Sequence, residues 1–314
     1  MDTIILTGAT GFIGSHLLEA LLKSCYRVVI LKRTTSDCWR INHLLDQVTT
    51  YDIDSDPISE VFERNKIDYI CHLATYYKKN DDKVDYTSLI ESNVTIPLKL
   101  VAYAIQHKVK GFINTGTFFE YADSIEPLTE SSTTFPKNFY ARSKAAFMAA
   151  LENFTPKLPC ITLRLFSPYG EKDNYKLIPM LIKHGLSNTP IALANPEQQL
   201  DFIYAGDIAN AYLKAIEKFK RKHTLHSIYN IGTGIPISLN ELVTLIENIL
   251  DKHLELAEPT PCSTVNHAAI ASINKAKQEL DWTPQMNITE GLKKTISYYQ
   301  TVLKQNEQNH TDRS

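Results

Sequence analysis

The stretch "TGATGFIGSHLLEALL", Thr7 to Leu22, sets Gly8, Gly11 and Gly14 three residues apart, directly after the apolar run "IILT" and at the mouth of a helical pattern. Glycines in that context permit a tight turn after a strand. They also let backbone N–H groups approach a pyrophosphate and allow a helix to pack closely on the strand. The helix that follows, opening with Phe12 and Ile13, aims the positive end of its dipole at the same point. The feature therefore reads as a phosphate cradle for a dinucleotide. A Gly-rich turn without a ligand is the plain alternative, and it loses ground as the segments downstream agree with a strand–helix–strand unit.

Those segments are short β-branched runs separated by amphipathic stretches: "TIILTG", "YRVVILKR", "VTTYDI", "IDYICHLA", "GFINTGT", "CITLRLFS" and, later, "SIYNIGTG". They are apolar almost throughout rather than alternating, as expected for strands covered by helices on both faces. The fold class expected is α/β, a Rossmann-type doubly wound parallel sheet with a smaller α/β C-terminal substrate domain. The first domain takes residues 1–166 plus 207–233 and the second 167–206 plus 234–305, with 306–314 as a polar, aperiodic, flexible tail. Ser238 followed by Glu241 spells a capping box ahead of "LNELVTLIENIL".

Composition narrows the partners. With 33 basic and 35 acidic residues interspersed along 314, the chain lacks the electrostatic footprint of a nucleic-acid binder. The N-terminus has Asp2 and no positive n-region, and no run of about 18 apolar residues occurs, so neither a signal peptide nor a membrane span is expected. Cys25, Cys38, Cys71, Cys160 and Cys262 are scattered and without C-x-x-C spacing. They read as reduced thiols of a cytoplasmic protein rather than a disulfide framework, and no metal site is expected.

At the end of the second strand, NAD binders typically place a carboxylate for the ribose 2′-OH. Here "VVILKRTTS" puts Lys32 and Arg33 there, with no acid until Asp37. That favours NADP(H), with NAD(H) as the alternative; a solvated pair of cations at a strand end is the bland reading. In "NFYARSKAAF", Tyr140 and Lys144 lie four apart on one helix face. A cation beside a tyrosine favours its phenolate and tunes it for proton transfer, although Y-x-x-x-K alone is common.

Taken together, "TGATGFIG", "HLA" at His72 to Ala74, Thr115, "YARSK" and "QLDFIYAGDIANAYLKAI" resemble the extended short-chain dehydrogenase/reductases that act on nucleotide sugars, over about residues 3 to 300. The resemblance implies catalytic roles for Thr115, 25 residues before Tyr140, and for Tyr140 and Lys144. It implies cofactor contacts from Gly8, Gly11, Phe12, Ile13, Gly14, Lys32, Arg33, Asp52, Ile53, Leu73, Ala74, Asn93, Tyr140 and Lys144, and substrate contacts from Tyr76, Thr117, Phe118, Ser167 and Tyr169. The partner implied is a nucleotide-diphosphate sugar and the assembly a homodimer, through the helices flanking the fifth strand. Ser167 stands where the family usually shows an Asn, and Leu200 where an Arg often precedes Asp201; Lys176 or Lys183 are other cations available to a diphosphate.

The family includes dehydratases, epimerases and reductases. In the dehydratases an Asp-Glu pair follows the Thr, whereas Gly116 and Thr117 follow Thr115, so elimination of water is disfavoured. The basic pair at the second strand and the "NTGTFFEYA" stretch, similar to CDP-sugar reductases of the abequose and paratose type, point to NADPH-dependent reduction of an NDP-4-keto-6-deoxyhexose, CDP-linked. An NAD-dependent 4-epimerase is the alternative, and a non-catalytic NADP-binding sensor or scaffold the third reading. The aromatic and basic run "TYYKKNDDK" after the fourth strand lies over the expected site.

Overall fold

The computed structural model describes residues 1–77, 84–173, 176–193, 195–221, 226–257 and 268–311. Lys78 to Lys83 of the aromatic and basic run, Asn174, Tyr175, Cys262 and the last three residues of the expected tail lie outside them.

In chain order, the first half runs β1 (Thr3–Thr7), α1 (Phe12–Lys23), β2 (Arg27–Lys32), β3 (Thr49–Asp52), α2 (Ile58–Arg64), β4 (Tyr69–His72), α3 (Tyr86–Ile90), α4 (Ile96–Gln106), β5 (Gly111–Thr117), α5 (Phe139–Glu152) and β6 (Cys160–Leu165). The rest runs β7 (Ser167–Tyr169), α6 (Leu177–Ser187), β8 (Ile191–Ala192), β9 (Gln199–Leu200), β10 (Phe202–Tyr204), α7 (Ala205–Arg221), β11 (His226–Ile231), β12 (Ile237–Ser238), α8 (Leu239–Leu250), β13 (Leu256–Ala257), β14 (Ala268–Ala269), α9 (Asn274–Leu280) and α10 (Ile288–Thr311).

Seven of these strands form one parallel sheet in the order β11-β6-β5-β4-β1-β2-β3. This is the doubly wound arrangement expected, and the order reverses between β1 and β4, where such sheets bind ligands. β1, β4 and β6 are buried along their whole length, which is why they read as unbroken apolar runs. One layer, carrying Leu17, Leu18 and Leu21 of α1 with Ile208, Tyr212 and Ile216 of α7, covers one face of the sheet. Leu100, Val101 and Ala104 of α4 and Phe147 and Leu151 of α5 cover the other.

Past β6 a second apolar core gathers Ile178, Leu181 and Ile182 of α6, Leu242 and Ile246 of α8, and Leu292, Ile296 and Tyr299 of α10. The capping box of α8 is present in full, Ser238 Oγ accepting from Glu241 N at 3.1 Å while the Glu241 carboxylate accepts from Ser238 N at 2.7 Å. Within 234–305 the stretch Ala276, Leu280 and Trp282 packs back into the first core instead, and Trp282 Nε1 donates to the Asp207 carbonyl at 3.1 Å. α10 continues to Thr311, so the segment from 306 is helical where its polar composition reads as a tail.

Candidate functional site

Gly8 takes φ +73°, and a Cβ there would lie 2.6 Å from the Ala74 nitrogen; at Gly14 a Cβ would lie 2.0 Å from the Gly8 carbonyl oxygen. Only glycine fits either position. α1 then begins at Gly11 with no side-chain cap and no acidic residue in its first turn. Its leading N–H groups and dipole are left for an anion, and the cradle fits a dinucleotide pyrophosphate. Phe12 and Ile13 sit half-buried in that first turn. The Leu73 and Ala74 amides, crossing beside Gly8, donate to Thr7 Oγ1 at 3.2 and 3.1 Å.

Accepting both amides, the Thr7 hydroxyl shares a 2.8 Å hydrogen bond with His72 Nδ1. His72 is buried at the end of β4, and burial together with the Lys144 charge pulls it down to about 3. It forms a neutral floor beneath the site.

At the end of β2, Lys32 is 3.7 Å from the Asp52 carboxylate and Arg33 Nη2 donates to Ser92 Oγ at 2.9 Å. Asp52 also accepts from Thr34 Oγ1 at 2.8 Å, with Ile53 half-buried beside it. The two cations thus stand where the ribose-binding acid would be, with Asp52 on the next strand.

Asn138 caps α5, accepting from the Ala141 amide at 2.8 Å, and the first turns of the helix present Tyr140 and Lys144. The Thr117 and Thr75 hydroxyls face the Tyr140 phenol, and the Tyr77 ring meets it edge-on at 4.8 Å. Burial and the Glu120 carboxylate push the phenol well above its usual range. Burial pulls the Lys144 ammonium down to about 8 against the opposing pull of Glu120.

The residue that joins Tyr140 is therefore Thr117, not Thr115. Thr115 Oγ1 donates to the His72 carbonyl at 2.7 Å and shares a 2.6 Å hydrogen bond with the Tyr212 hydroxyl of α7. Residues two apart share a strand face but stand about 6.6 Å apart along it. Thr115 is one pleat too deep, and Thr117 ends the strand where the site opens. The signal for this is Thr117-x-x-Glu120, a capping box present in the structure.

Two further expectations change. Asn93, in a π-helical turn at Glu91–Thr95, accepts from Tyr76 N at 2.7 Å and Thr75 Oγ1 at 3.0 Å, and donates to Tyr76 O at 3.0 Å and Ser143 Oγ at 2.9 Å. Both donors and both acceptors of its amide are committed, so it clamps the Thr75–Tyr76 segment to α5 rather than contacting a cofactor. Tyr169 is 1% exposed, and its hydroxyl lies where a Cβ on Gly291 would intrude. It belongs to the second core and is closed to substrate. Ser167 is half-buried in β7 and pairs with Phe202. Tyr76 is half-buried, its backbone held by Asn93, and Phe118 stacks on Phe119 at 4.2 Å and on Phe166 at 5.6 Å.

A glycine turn at the switch point of a parallel sheet, and a tyrosine and lysine one turn apart beside a threonine at the end of β5, define a dinucleotide-dependent oxidoreductase. The chain belongs to the NAD dependent epimerase/dehydratase family, whose model matches residues 4–232. It is an enzyme of the extended short-chain dehydrogenase/reductase type. It is 30% identical to CDP-abequose synthase of Salmonella muenchen over 94% of this chain and 97% of that protein. It is 28% identical to human dTDP-D-glucose 4,6-dehydratase over 94% and 89%. Its fold matches UDP-glucuronic acid 4-epimerase from Bacillus cereus, solved with UDP-glucuronic acid and NAD, at TM-score 0.86 and 24% identity, covering 96% of this chain and 99% of that one. Among the described residues no helix is long and apolar enough to cross a membrane.

Proposed function

We propose that the enzyme reduces the C4 ketone of an NDP-4-keto-6-deoxyhexose, CDP-linked, to a deoxysugar donor, with NADPH as reductant. The observation that carries this reading is the basic end of β2, where Lys32 and Arg33 replace the acid that holds an NAD ribose. A 2′-phosphate is matched by cations, and a reductant exchanged at every turnover is usually NADPH. The likeness to CDP-abequose synthase supports the same choice. Phe118 and Phe119 follow Thr117, in the positions of the acidic pair that water elimination requires.

The glycine cradle holds the cofactor pyrophosphate, and Tyr140 and Lys144 hold its nicotinamide ribose. When bound, the cofactor supplies a hydride to C4 of the sugar. Thr117 fixes the carbonyl oxygen, and Tyr140 delivers a proton to it as alkoxide character develops. Phe119, half-buried and stacked on the buried Phe118 beside Thr117, offers an apolar face that suits the methyl group of a 6-deoxysugar. Residues 167–206 and 234–305, without the Asn274–Leu280 helix, supply the nucleotide-sugar side. The outward faces of α4 and α5 form the contact of a homodimer.

The experiment is to mix the protein with NADPH, then separately with NADH, add CDP-4-keto-6-deoxyglucose, and follow the reduced-nicotinamide band. Stoichiometric loss with NADPH is expected. No loss, with NAD released on denaturation and a UDP-hexose interconverted, replaces this reading with an NAD-dependent 4-epimerase.

A further inference from the structure

The connection from β7 to α6 lies against the glycine cradle, and side chains of the dinucleotide domain grip it there. Lys172 takes φ +67°, a left-handed conformation that a residue with a Cβ holds only where its surroundings impose it. His16 Nε2 donates to the Glu171 carbonyl at 2.9 Å, and Lys172 Nζ donates to Glu19 Oε1 at 2.6 Å. Arg40, half-buried in the loop after β2, donates from Nε to the Lys172 carbonyl at 2.9 Å. From the other side, the Tyr204 hydroxyl of β10 donates to the Glu171 carboxylate at 2.8 Å.

His16 and Glu19 reach only this connection, whereas Arg40 reaches further. Its Nη1 donates to the Thr10 carbonyl at 3.2 Å, and Thr10 lies inside the turn that Gly11 N closes on the Gly8 carbonyl at 3.0 Å. One guanidinium, 4.4 Å over the Trp39 ring, thus bonds both the turn that cradles a pyrophosphate and the turn that leads into α6. Because its donors form a rigid planar fork, the two carbonyls are held at one separation. A lysine, a point donor on a flexible stem, cannot span both. Across the same seam, Lys176 Nζ at the start of α6 lies 5.6 Å over the ring of Phe12, in the first turn of α1. The start of α6 therefore faces the cradle.

We propose that Arg40 is a positioning residue: it ties the cofactor cradle to the turn at Glu171 and Lys172 and so sets the register between hydride donor and sugar. This rests on residues 167–206 forming the nucleotide-sugar side and on ketone reduction as the reaction. Hydride passes only between atoms held near contact, and a misplacement of about 1 Å costs about 10²-fold in rate. Each half of the site can bind its own ligand normally while the two stand out of register.

Amide hydrogen exchange is measured on the free protein and on protein saturated with NADP+, or with NAD+ where only that binds. The cofactor is expected to slow exchange in the peptide carrying Gly8 to Gly14 and, by about fivefold or more, in the peptide carrying Glu171 and Lys172. In Arg40→Met the slowing stays in the first peptide and is lost from the second. In ketone reduction the variant's kcat falls by about 10-fold to 10²-fold, while Kd for NADP+ and for CDP stays within a few-fold of native. Arg40→Lys keeps the charge without the fork and behaves like Arg40→Met; it carries the same measurements if Arg40→Met does not fold. Native behaviour of Arg40→Lys, slowing at Glu171 and Lys172 that survives in Arg40→Met, or a raised Kd for one ligand with kcat unchanged overturns the proposal. The exchange experiment uses no sugar: slowing that depends on Arg40 in a protein that turns over no keto sugar sinks the ketoreductase reading and leaves the tie standing.

Discussion

Thr115 and Thr117 stand two residues apart on one strand, and kinetics separates them. Thr117→Val removes the hydroxyl that faces Tyr140, so kcat/KM is expected to fall by about 10²-fold or more, with about 0.5–2 kcal/mol of stability lost along with the cap on the Phe119 amide. Thr115→Val unpairs the buried Tyr212 hydroxyl, costing about 1–3 kcal/mol in urea unfolding while turnover stays within a few-fold. The reverse pattern would return Thr115 to the site. The spacing from Tyr140 does not distinguish the two, because it counts residues in an intervening loop whose length varies, while the hydroxyl that matters is set by depth along a strand. Lys144 carries a second test. Its folded value near 8 against an ordinary 10.5 means that the unfolded chain binds more protons between those limits. Apo stability therefore rises with pH from 8 to 10.5 and carries, below pH 8, a burial penalty on the order of 3 kcal/mol. Lys144→Met is expected to raise the apo melting temperature at neutral pH, flatten that slope and abolish turnover. An unchanged melting temperature would show that the buried ammonium costs the fold nothing.

At the scale of elements, what could be read from the chain depended on which bonds hold each one. The strands of the main sheet are apolar along nearly their whole length because helices cover both faces, and periodicity alone finds them. The two- and three-residue strands of the second unit have no such pattern. They are held by single side chains, Asp201 above all. Its carboxylate, fully buried, accepts from Thr233 N at 2.6 Å, Thr233 Oγ1 at 2.7 Å, Gly234 N at 2.8 Å and Ala271 N at 3.0 Å. One acid thus ties β10, the turn after β11 and the segment after β14. Asp201→Asn replaces an acceptor oxygen by a donor and leaves amides unpaired, so a loss of about 2–4 kcal/mol in thermal or urea unfolding is expected. A loss below about 1 kcal/mol would mean that the turn repacks. The C-terminal end of α10 was illegible for a different reason. Leu292, Ile296 and Tyr299 anchor its first turns, and once a helix is nucleated, propagation into polar sequence is nearly free.

For the molecule as a whole, the proposed homodimer contact lies on α4 and on α5, the helix that carries Tyr140 and Lys144. α4 and α5 turn Leu100, Val101, Phe147 and Leu151 inward and leave Ala102 on one and Ala146 and Ala149 on the other exposed. Small residues let helix backbones approach closely, and a two-fold axis across such a face pairs it with itself, bringing four helices together at about 20°. Because Tyr140 and Lys144 ride on α5, the contact would also brace the proton donor. Ala149→Arg places a bulky cation on that face, opposite its own copy if the axis passes nearby, and like charges there repel. The native protein is expected to sediment as a dimer and this variant as a monomer with lower kcat. A native protein that sediments as a monomer, or a variant that stays dimeric, would move assembly off these helices and leave the rigidity of α5 to its Asn138 cap and the Asn93 clamp alone.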